Sequence, residues 1–305
     1  MIQDIYPEKL DNSYVNIQPS EGDTLLFYDE KGRVLLSFDE PSGKIIFPLY
    51  GREDLSSDAR DSHDFTFFFS ISGRNFFLAE CPVELSGKYS YYSLREIRAF
   101  KTVSKSLVYA AYTGYHLWKW YADNKFCGRC GKLLYRDGSR ELFSLLNPSV
   151  KESDEPAQKT ERALVCPSCG NRIYPRINPA VIVGVVNGDR LLITKYRRGY
   201  ANSALVAGFT EIGETLEETV AREVMEEVGL KVKNIRYYKS QPWGMALDIL
   251  TGFYCEVDGD DTIKMDENEL KYAEWVNRDE IELQPSDYSL TNEMMKKFKN
   301  GERIF

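Results

Sequence analysis

The stretch Gly208–Leu230, GFTEIGETLEETVAREVMEEVGL, decides the fold of the C-terminal part of the chain. Thr215 followed three residues later by Glu218 is the capping-box signature of a helix start, and Gly229 supplies the stop signal. Apolar side chains recur every four residues between these signals, at Leu216, Val220, Val224 and Val228. The sequence therefore predicts an amphipathic helix that buries one apolar stripe.

Three carboxylates lie at the edge of this stripe. Glu223, Glu226 and Glu227 fall within about 100° of arc on the predicted helix. Carboxylates this close repel one another, and a divalent cation such as Mg²⁺ or Mn²⁺ relieves the repulsion. Arg222 stands four residues from both Glu218 and Glu226, a spacing suited to orienting carboxylates. The alternative is a solvated acidic face, and the acidic spacing alone does not decide between the two.

Strand-like apolar runs flank the predicted helix on both sides. The dipeptide Asn187-Gly188 separates two of them and favours a tight hairpin turn. The predicted strands are Ala180–Val186, Arg190–Thr194, Ile235–Tyr238 and Ile249–Val257, and a closing helix is predicted near Leu290–Phe298. We therefore expect a mixed sheet flanked by helices.

Four cysteines form two pairs with metal-ligand spacing. Cys127 with Cys130, and Cys166 with Cys169, are each separated by two residues and followed by glycine. Two such pairs supply the four sulfur ligands of a tetrahedral Zn²⁺ site. Four thiolates leave no open position, so we expect a structural zinc ion; free thiols or a redox pair are the alternatives. The polar segment 147–161 between the pairs is expected to be an exposed loop.

The N-terminal third alternates short apolar runs with turn signals, which predicts a small β-rich domain. Its predicted strands are Thr24–Tyr28, Val34–Phe38, Phe65–Ile71 and Phe76–Ala79. A helical periodicity follows from Ser93 to about Tyr121. Cys81 and Cys255 stand singly in apolar runs, and we expect them to be buried small hydrophobes.

Composition limits the class of protein. The chain has 305 residues with 43% hydrophobic side chains, and 39 basic against 47 acidic residues give a net charge of −8. This balance disfavours binding to nucleic acid or to anionic membranes through bulk charge. No long uncharged apolar stretch and no export signal are evident, so we expect a cytoplasmic protein without a membrane span.

The full pattern of the opening stretch resembles the Nudix box. The matching positions are Gly208, Glu214, Arg222, Glu223, Val224, Glu226, Glu227, Gly229 and Leu230. The run FCGRCG before this domain, YPRINPAVIVGV at its start and SQPW at Ser240–Trp243 are similar to the NADH pyrophosphatase branch of the Nudix hydrolase superfamily. The similarity is strong from about Trp118 to Trp275 and weak across residues 1–90.

This resemblance implies an α+β fold in three parts. Residues 1–120 would form a β-rich N-terminal domain that ends in a helix. Residues 121–177 would form a zinc ribbon with a long inserted loop. Residues 178–305 would form a Nudix α/β/α sandwich with a mixed sheet.

The resemblance also assigns roles to individual residues. The implied catalytic residues are Glu214, Arg222, Glu223, Glu226 and Glu227. The implied metal ligands are Cys127, Cys130, Cys166 and Cys169 for zinc, and the Ala207 carbonyl, Glu223, Glu227 and Glu269 for Mg²⁺ or Mn²⁺. The implied substrate-binding residues are Glu161, Tyr174, Phe209, Gln241, Pro242, Trp243, Gly244, Met245, Ala246, Leu247, Asp248 and Thr291. The alternatives are that Phe209 is a core residue, Glu161 a loop charge and Tyr174 a packing residue beside the zinc.

The implied activity is metal-dependent hydrolysis of the pyrophosphate of NAD or NADH to AMP and a nicotinamide mononucleotide, by a homodimer. It extends to removal of NAD caps from RNA, for which basic residues would compensate the net charge locally: Arg172, Arg176, Arg197 and Arg198. The chain departs from the family pattern after SQPW, because Gly244–Asp248 replaces a run with two prolines and a serine. Preference for ADP-ribose, a dinucleoside polyphosphate or another nucleoside diphosphate derivative is therefore an alternative. A non-catalytic zinc-ribbon binding module is the alternative from another class.

Overall fold

A computed structural model describes residues 1–51, 65–80, 87–101, 104–149, 160–197 and 202–304. Cys81, Arg198 and most of the predicted loop 147–161 lie outside these ranges. The chain divides into two compact units. One comprises Ile5–Arg176, and the other joins Met1–Asp4 to Ile177–Phe305. The predicted division of the first unit into a β-rich domain and a ribbon stays a prediction.

The unit Ile5–Arg176 begins with short strands, as its sequence rhythm predicts. Their bounds are β1 Leu10–Asp11, β2 Thr24–Leu26, β3 Val34–Asp39, β4 Lys44–Ile46, β5 Phe65–Ile71, β6 Arg74–Ala79 and β7 Ser90–Tyr92. Two sheets result, with strand orders β1-β5-β6-β2 and β4-β3-β7. Aromatic side chains fill the core between them, because β5 and β6 bury nearly every residue.

The helical periodicity after Ser93 corresponds to two helices rather than one: α1 at Leu94–Ala99 and α2 at Lys105–Asp123. Ser93 and Glu96 form a capping box that starts α1. Phe100 ends α1 with an extended backbone and stacks on Phe38, with ring centroids 3.8 Å apart. The end of α1 therefore holds the Phe100 ring against Phe38 of β3.

The cysteine-bearing segment forms a small sheet with strand order β10-β9-β8, from β8 Tyr135–Arg136, β9 Leu164–Val165 and β10 Arg172–Ile173. A short helix that the sequence analysis missed, α3 at Arg140–Leu146, begins at the N-cap Ser139. Arg136 and Arg162 donate hydrogen bonds to the carbonyls of Phe65 and Phe68 in β5. These side chains attach the small sheet to the N-terminal strands within one unit.

The second unit contains the mixed sheet that the sequence predicts. Its strands are β11 Asn178–Asn187, β12 Arg190–Tyr196, β13 Val206–Phe209, β14 Val232–Trp243, β15 Asp248–Val257 and β16 Leu270–Asn277. The order is β14-β15-β11-β12-β16, and β13 also pairs with β11. The pair β11 and β15 is parallel, whereas the other neighbours are antiparallel.

Helices cover both faces of this sheet, so the predicted α/β/α sandwich is confirmed. The helix α4 at Leu216–Val228 buries Val220, Val224 and Val228 against one face. The helix α5 at Leu290–Lys299 buries Met294, Met295 and Phe298 against the other face. The strand β11 is buried on both faces, which explains its unbroken apolar run.

The predicted hairpin is present, but its turn is shifted by one residue. Asn187 pairs with Arg190, so Gly188-Asp189 forms the two-residue turn. Gly188 has φ of +61°, a conformation that glycine adopts without steric cost. No helix in the part of the chain described here is long and apolar enough to cross a membrane.

Candidate active site and thiol cluster

The four predicted zinc ligands converge. The ligand atoms of Cys127, Cys130, Cys166 and Cys169 all lie within 4.8 Å of one another. The Cys127 and Cys169 sulfurs are 3.7 Å apart, and those of Cys130 and Cys166 are 3.4 Å apart. A tetrahedron with Zn–S bonds of about 2.3 Å has sulfur–sulfur edges of about 3.8 Å. The donor set therefore fits a four-thiolate zinc site.

Each cysteine pair lies on the same backbone turn. Gly131 and Gly170, with φ of +72° and +68°, donate their N–H groups to the carbonyls of Cys127 and Cys166. The left-handed backbone of this turn explains why a glycine follows each cysteine pair. Although partial desolvation opposes ionisation, backbone N–H groups such as that of Arg129 lower the pKa of the Cys127 thiol to about 6. A thiolate, the form that binds metal, is thus favoured at this position.

Two predicted substrate residues of the same unit are brought together. The Tyr174 hydroxyl donates to Glu161 at 2.8 Å, and this hydrogen bond raises the pKa of Tyr174. Arg172 bridges Glu161 and Asp137, at 3.3 and 2.9 Å. Tyr174 is 55% exposed, so its ring presents a face to solvent rather than packing in a core.

The box helix in the second unit begins and ends where its sequence predicts. Thr215 and Glu218 form both hydrogen bonds of the capping box, and Gly229 adopts the left-handed conformation that ends α4. Directly before the helix, β13 brings Gly208 against Glu223. A Cβ atom at position 208 would overlap with the Glu223 carboxylate. The glycine that opens the box is therefore required to make space for a box glutamate.

Glu227 is the most enclosed of the three box glutamates, with only 2% of its surface exposed. The Tyr196 hydroxyl contacts its carboxylate oxygens at 3.0 and 3.3 Å. Burial raises the pKa of Glu227 to about 8, and the charges of Glu223 and Glu269 add to this effect. A buried carboxylate that other carboxylates approach is a position where a cation lowers the energy of the ionised form.

Arg222 holds the remaining box carboxylates in place. Its guanidinium donates to Glu214 at 2.6 and 2.9 Å, to Glu223 at 2.8 Å and to Glu226 at 2.9 Å. It also donates to the carbonyl of Phe209. The hydrogen bond from Arg222 lowers the pKa of Glu214 to about 2. Arg222 therefore orients carboxylates as predicted, but Glu218 serves the helix cap instead of pairing with it.

Glu269 lies on a loop that backbone contacts fix beside α4. The N–H of Asp266 donates to the carbonyl of Glu227, and the N–H of Arg197 donates to the carbonyl of Glu269. The Arg197 guanidinium donates to the carbonyls of Glu267 and Leu270. The charge of Glu269 raises the pKa of both Glu223 and Glu227, which places it in their electrostatic neighbourhood.

The carboxylates are spread more widely than the thiols. Within the described ranges, only the cysteine cluster has three or more candidate ligand atoms that all lie within 4.8 Å of one another. Such a spread is what repulsion between carboxylates favours. The site thus offers one buried, one half-buried and one exposed glutamate along the same edge of α4.

The segment Gln241–Asp248 joins β14 to β15, with Trp243 paired to Asp248. Four residues lie in the turn, and Leu247 has φ of +61°. Asp248 is 95% buried, and one of its carboxylate oxygens has no hydrogen-bond partner in the described part of the chain. This burial raises the pKa of Asp248 to about 7.

Gln241 is fully buried, and both ends of its amide are occupied. Its nitrogen donates to the Tyr288 carbonyl at 2.7 Å, and its oxygen accepts from the Leu290 N–H at 2.7 Å. Gln241 thereby fixes the start of α5, next to the half-buried Thr291. Its direct contact with substrate stays a prediction.

Phe209 projects from the edge of the site at the end of β13. Its side chain is 51% exposed, so the alternative of a core residue is wrong. Ala180 pairs with Phe209 on one side of β11, and Asn178 pairs with Asp248 on the other side. The aromatic ring and the buried aspartate therefore belong to the same end of the sheet.

Sequence analysis missed Tyr196 and the anchoring role of Arg197. Tyr196 ends an apolar strand and shares no spacing with the box, so no motif marks it. Its backbone pairs with Leu270 of β16, a strand that the sequence analysis also missed. Arg197 was predicted as part of a basic patch, whereas its guanidinium is bonded to backbone carbonyls.

The chain is similar in sequence to known proteins. The model of the NUDIX domain matches residues 176–298. The "NAD-capped RNA hydrolase NudC" of Shigella flexneri is 37% identical over 207 residues, which cover 67% of this chain and 71% of that protein. The protein of the same name from an Enterobacter strain is 38% identical over 62% of this chain and 65% of its own length. A crystal structure of a NUDIX hydrolase from Nitrosomonas europaea covers 59% of this chain and 96% of its own, at 21% identity and a TM-score of 0.45.

Proposed function

Because this chain belongs to the Nudix hydrolase family and hydrolyses pyrophosphate bonds, we propose that its substrate is the dinucleotide NAD or NADH. Hydrolysis then yields AMP and a nicotinamide mononucleotide. The observation that carries this proposal is the buried Glu227, which lies beside the Ala207 peptide within the field of Glu223 and Glu269. The relatives named as NAD-capped RNA hydrolases support the same substrate class.

The donor set at this edge of α4 fits Mg²⁺ or Mn²⁺, which prefer carboxylate and carbonyl oxygens. Glu223, Glu227, Glu269 and the Ala207 carbonyl would hold the cations. Bound divalent cations neutralise phosphate oxygens and lower the pKa of a water molecule. The burial of Glu227 is energetically consistent with such a role, because burial without a neighbouring cation raises the pKa of its carboxylate to about 8.

Several side chains would orient the carboxylates or contact the substrate. Arg222 fixes Glu223 and Glu226 relative to the loop that starts the box. Phe209, half exposed at the end of β13, offers an aromatic face for a base or nicotinamide ring. Asp248 offers a buried acceptor that favours a ligand with an N–H or O–H group. Glu161 and Tyr174 would contribute further substrate contacts.

A panel of substrates tests the proposal. Purified protein with Mg²⁺ or Mn²⁺ would be given NADH, NAD, ADP-ribose, a dinucleoside polyphosphate and an NAD-capped RNA, and the products identified by mass spectrometry. Glu227→Gln should lower turnover at least about 100-fold. Glu217→Gln is the matched control, because Glu217 is an exposed glutamate of the same helix outside the site. If the wild type hydrolysed none of these substrates, the result would favour the non-catalytic binding module.

The altered run after SQPW makes ADP-ribose the second candidate substrate. The turn Gly244–Leu247 carries neither proline nor serine, and Asp248 follows it with a buried carboxylate. A kcat/KM for ADP-ribose or another nucleoside diphosphate derivative above that for NADH would establish this alternative. Equal or higher efficiency on NADH supports the dinucleotide proposal.

We propose that the thiol cluster binds structural zinc and that the protein is a cytoplasmic homodimer. Purified protein should contain about one zinc ion per chain, and Cys127→Ser should lose it. Cys255→Ala is the control, because Cys255 is a buried free thiol outside the cluster. Light scattering of the purified protein should give twice the chain mass of 35.1 kDa.

A further inference from the structure

Tyr196 occupies an irregular position in the sheet. Lys195 pairs with Tyr272 of β16, but the next residue, Tyr196, pairs with Leu270, so the register shifts between them. The extra residue of this bulge is Lys271 of β16, so β12 itself keeps its regular alternation. Here the ring packs against the same core as α4. Alternation along β12 puts Tyr196 on the same face as Leu192, and this places its phenol beside the Glu227 carboxylate.

The Tyr196 hydroxyl lies between two groups of the predicted metal site. It is 3.0 Å from one Glu227 oxygen and 3.3 Å from the other, and it accepts from the Ala207 N–H at 3.1 Å. The Ala207 carbonyl is also 3.3 Å away. A hydroxyl has a single hydrogen to donate, and a carboxylate is a stronger acceptor than a carbonyl. The hydrogen therefore goes to Glu227, and the Ala207 carbonyl keeps its lone pairs for another ligand.

We propose that Tyr196 is a positioning residue, whose hydroxyl holds the Glu227 carboxylate and the Ala207 peptide in the arrangement that binds the divalent cation. This inference rests on the proposed function for the identity of the ligand. Hydrogen bonds to ligating carboxylates fix their orientation, and their removal typically weakens metal binding about 10- to 100-fold. Tyr196 contacts no substrate in this role and acts through Glu227.

The variant Tyr196→Phe isolates the hydroxyl. The ring keeps its packing, and the Ala207 N–H retains the Glu227 oxygen at 3.4 Å as an acceptor. No buried donor is therefore left without a partner. Tyr254→Phe is the matched control: the Tyr254 hydroxyl is also buried and donates to the Met294 carbonyl at 2.7 Å, among residues of the α5 core.

The experiment measures Mn²⁺ binding to the zinc-loaded protein by electron paramagnetic resonance, without substrate. Tyr196→Phe should raise the Kd for Mn²⁺ about 10-fold, and Tyr254→Phe should leave it unchanged. The Mn²⁺ concentration for half-maximal turnover should rise in parallel, while KM for the dinucleotide at saturating Mn²⁺ stays constant. Unchanged Mn²⁺ affinity in Tyr196→Phe, or no Mn²⁺ binding by the wild type, would overturn the proposal.

A double-mutant cycle separates positioning from a general loss of structure. In a Glu227→Gln background, Tyr196→Phe should weaken Mn²⁺ binding no further, because the two residues act through one interaction. Additive weakening would contradict the proposal, even if Tyr196→Phe also lowers the melting temperature. A wild type that binds Mn²⁺ with this dependence on Tyr196 but hydrolyses no dinucleotide would refute the proposed function and leave the role of Tyr196 intact.

Discussion

Because Gly208 has no side chain, the Glu223 carboxylate can lie directly against its backbone. Backbone at Gly208 approaches the Glu223 carboxylate so closely that a methyl group would occupy the same space. The overlap is with the far end of a flexible side chain, so the carboxylate can move while the backbone stays in place. Substitution should therefore displace Glu223, a proposed metal ligand, without unfolding the domain.

We expect Gly208→Ala to lower activity about 10- to 100-fold, the usual effect of disturbing the surroundings of a metal ligand, with little change in melting temperature. Steady-state kinetics at several Mg²⁺ concentrations and thermal unfolding measure the two effects. Gly128→Ala is the control, since a Cβ there meets no atom within 4 Å. Wild-type activity in Gly208→Ala would show that Glu223 tolerates displacement.

Asp248 predicts a pH dependence of stability. Burial raises its pKa to about 7, above the ordinary value of 3.8, so the folded state holds a proton that the unfolded state releases. The contribution of Asp248 to the free energy of unfolding is therefore largest below about pH 4, and it decreases as the pH rises towards 7. Each pKa unit corresponds to about 1.4 kcal/mol.

The variant Asp248→Asn should remove this penalty. Its melting temperature should exceed that of the wild type clearly at pH 8 and much less at pH 5, where Asp248 is largely protonated. Glu227 is present in both proteins, so its own titration cancels in the comparison. A difference in melting temperature that is independent of pH between 5 and 8 would contradict the assignment to Asp248.

Among the elements, α4 carries the most complete local signals. Thr215 accepts a hydrogen bond from the Glu218 N–H at 3.2 Å, and the Glu218 carboxylate accepts from the Thr215 N–H at 2.8 Å. Loss of such a cap typically costs about 1 kcal/mol. Thr215→Ala should therefore lower the free energy of unfolding of this unit by about 1 kcal/mol in urea, whereas Thr215→Ser should stay near wild type. Equal stability of Thr215→Ala and wild type would mean that the cap is not formed.

These local signals explain which elements the sequence predicts well. The α4 helix, the β11–β12 hairpin and the four-thiol cluster each depend on residues near one another in the chain or on a repeated spacing. The contacts of Tyr196 with Glu227 and Ala207 depend on how β12 and β13 pack against α4, and strand periodicity carries no information about such long-range packing. The role of Gln241 was hidden for a similar reason, because its partners lie at Tyr288 and Leu290.

At the scale of the whole molecule, the net charge of −8 has a functional component. Seven of the 47 acidic residues lie within Gly208–Leu230. Under the proposed function, part of the acidity belongs to a site that would become complementary to a pyrophosphate once cations are bound. Two of the four arginines predicted to form a basic patch, Arg172 and Arg197, have guanidinium groups that are already bonded to carboxylates and carbonyls.

This charge distribution predicts how salt affects the hydrolysis of an NAD-capped RNA compared with that of free NADH. Each phosphate of a single strand that a basic side chain neutralises adds about 0.7 to the slope of log affinity against log salt. With Arg172 and Arg197 engaged internally, the protein should contact the cap and few phosphates beyond it. We therefore expect the salt slope of kcat/KM for a capped RNA of about 20 nucleotides to match that for NADH within about one such contact. Kinetics from low to moderate KCl at constant Mg²⁺ measure both slopes, and a slope for RNA steeper by two or more contacts would show a basic RNA-binding surface.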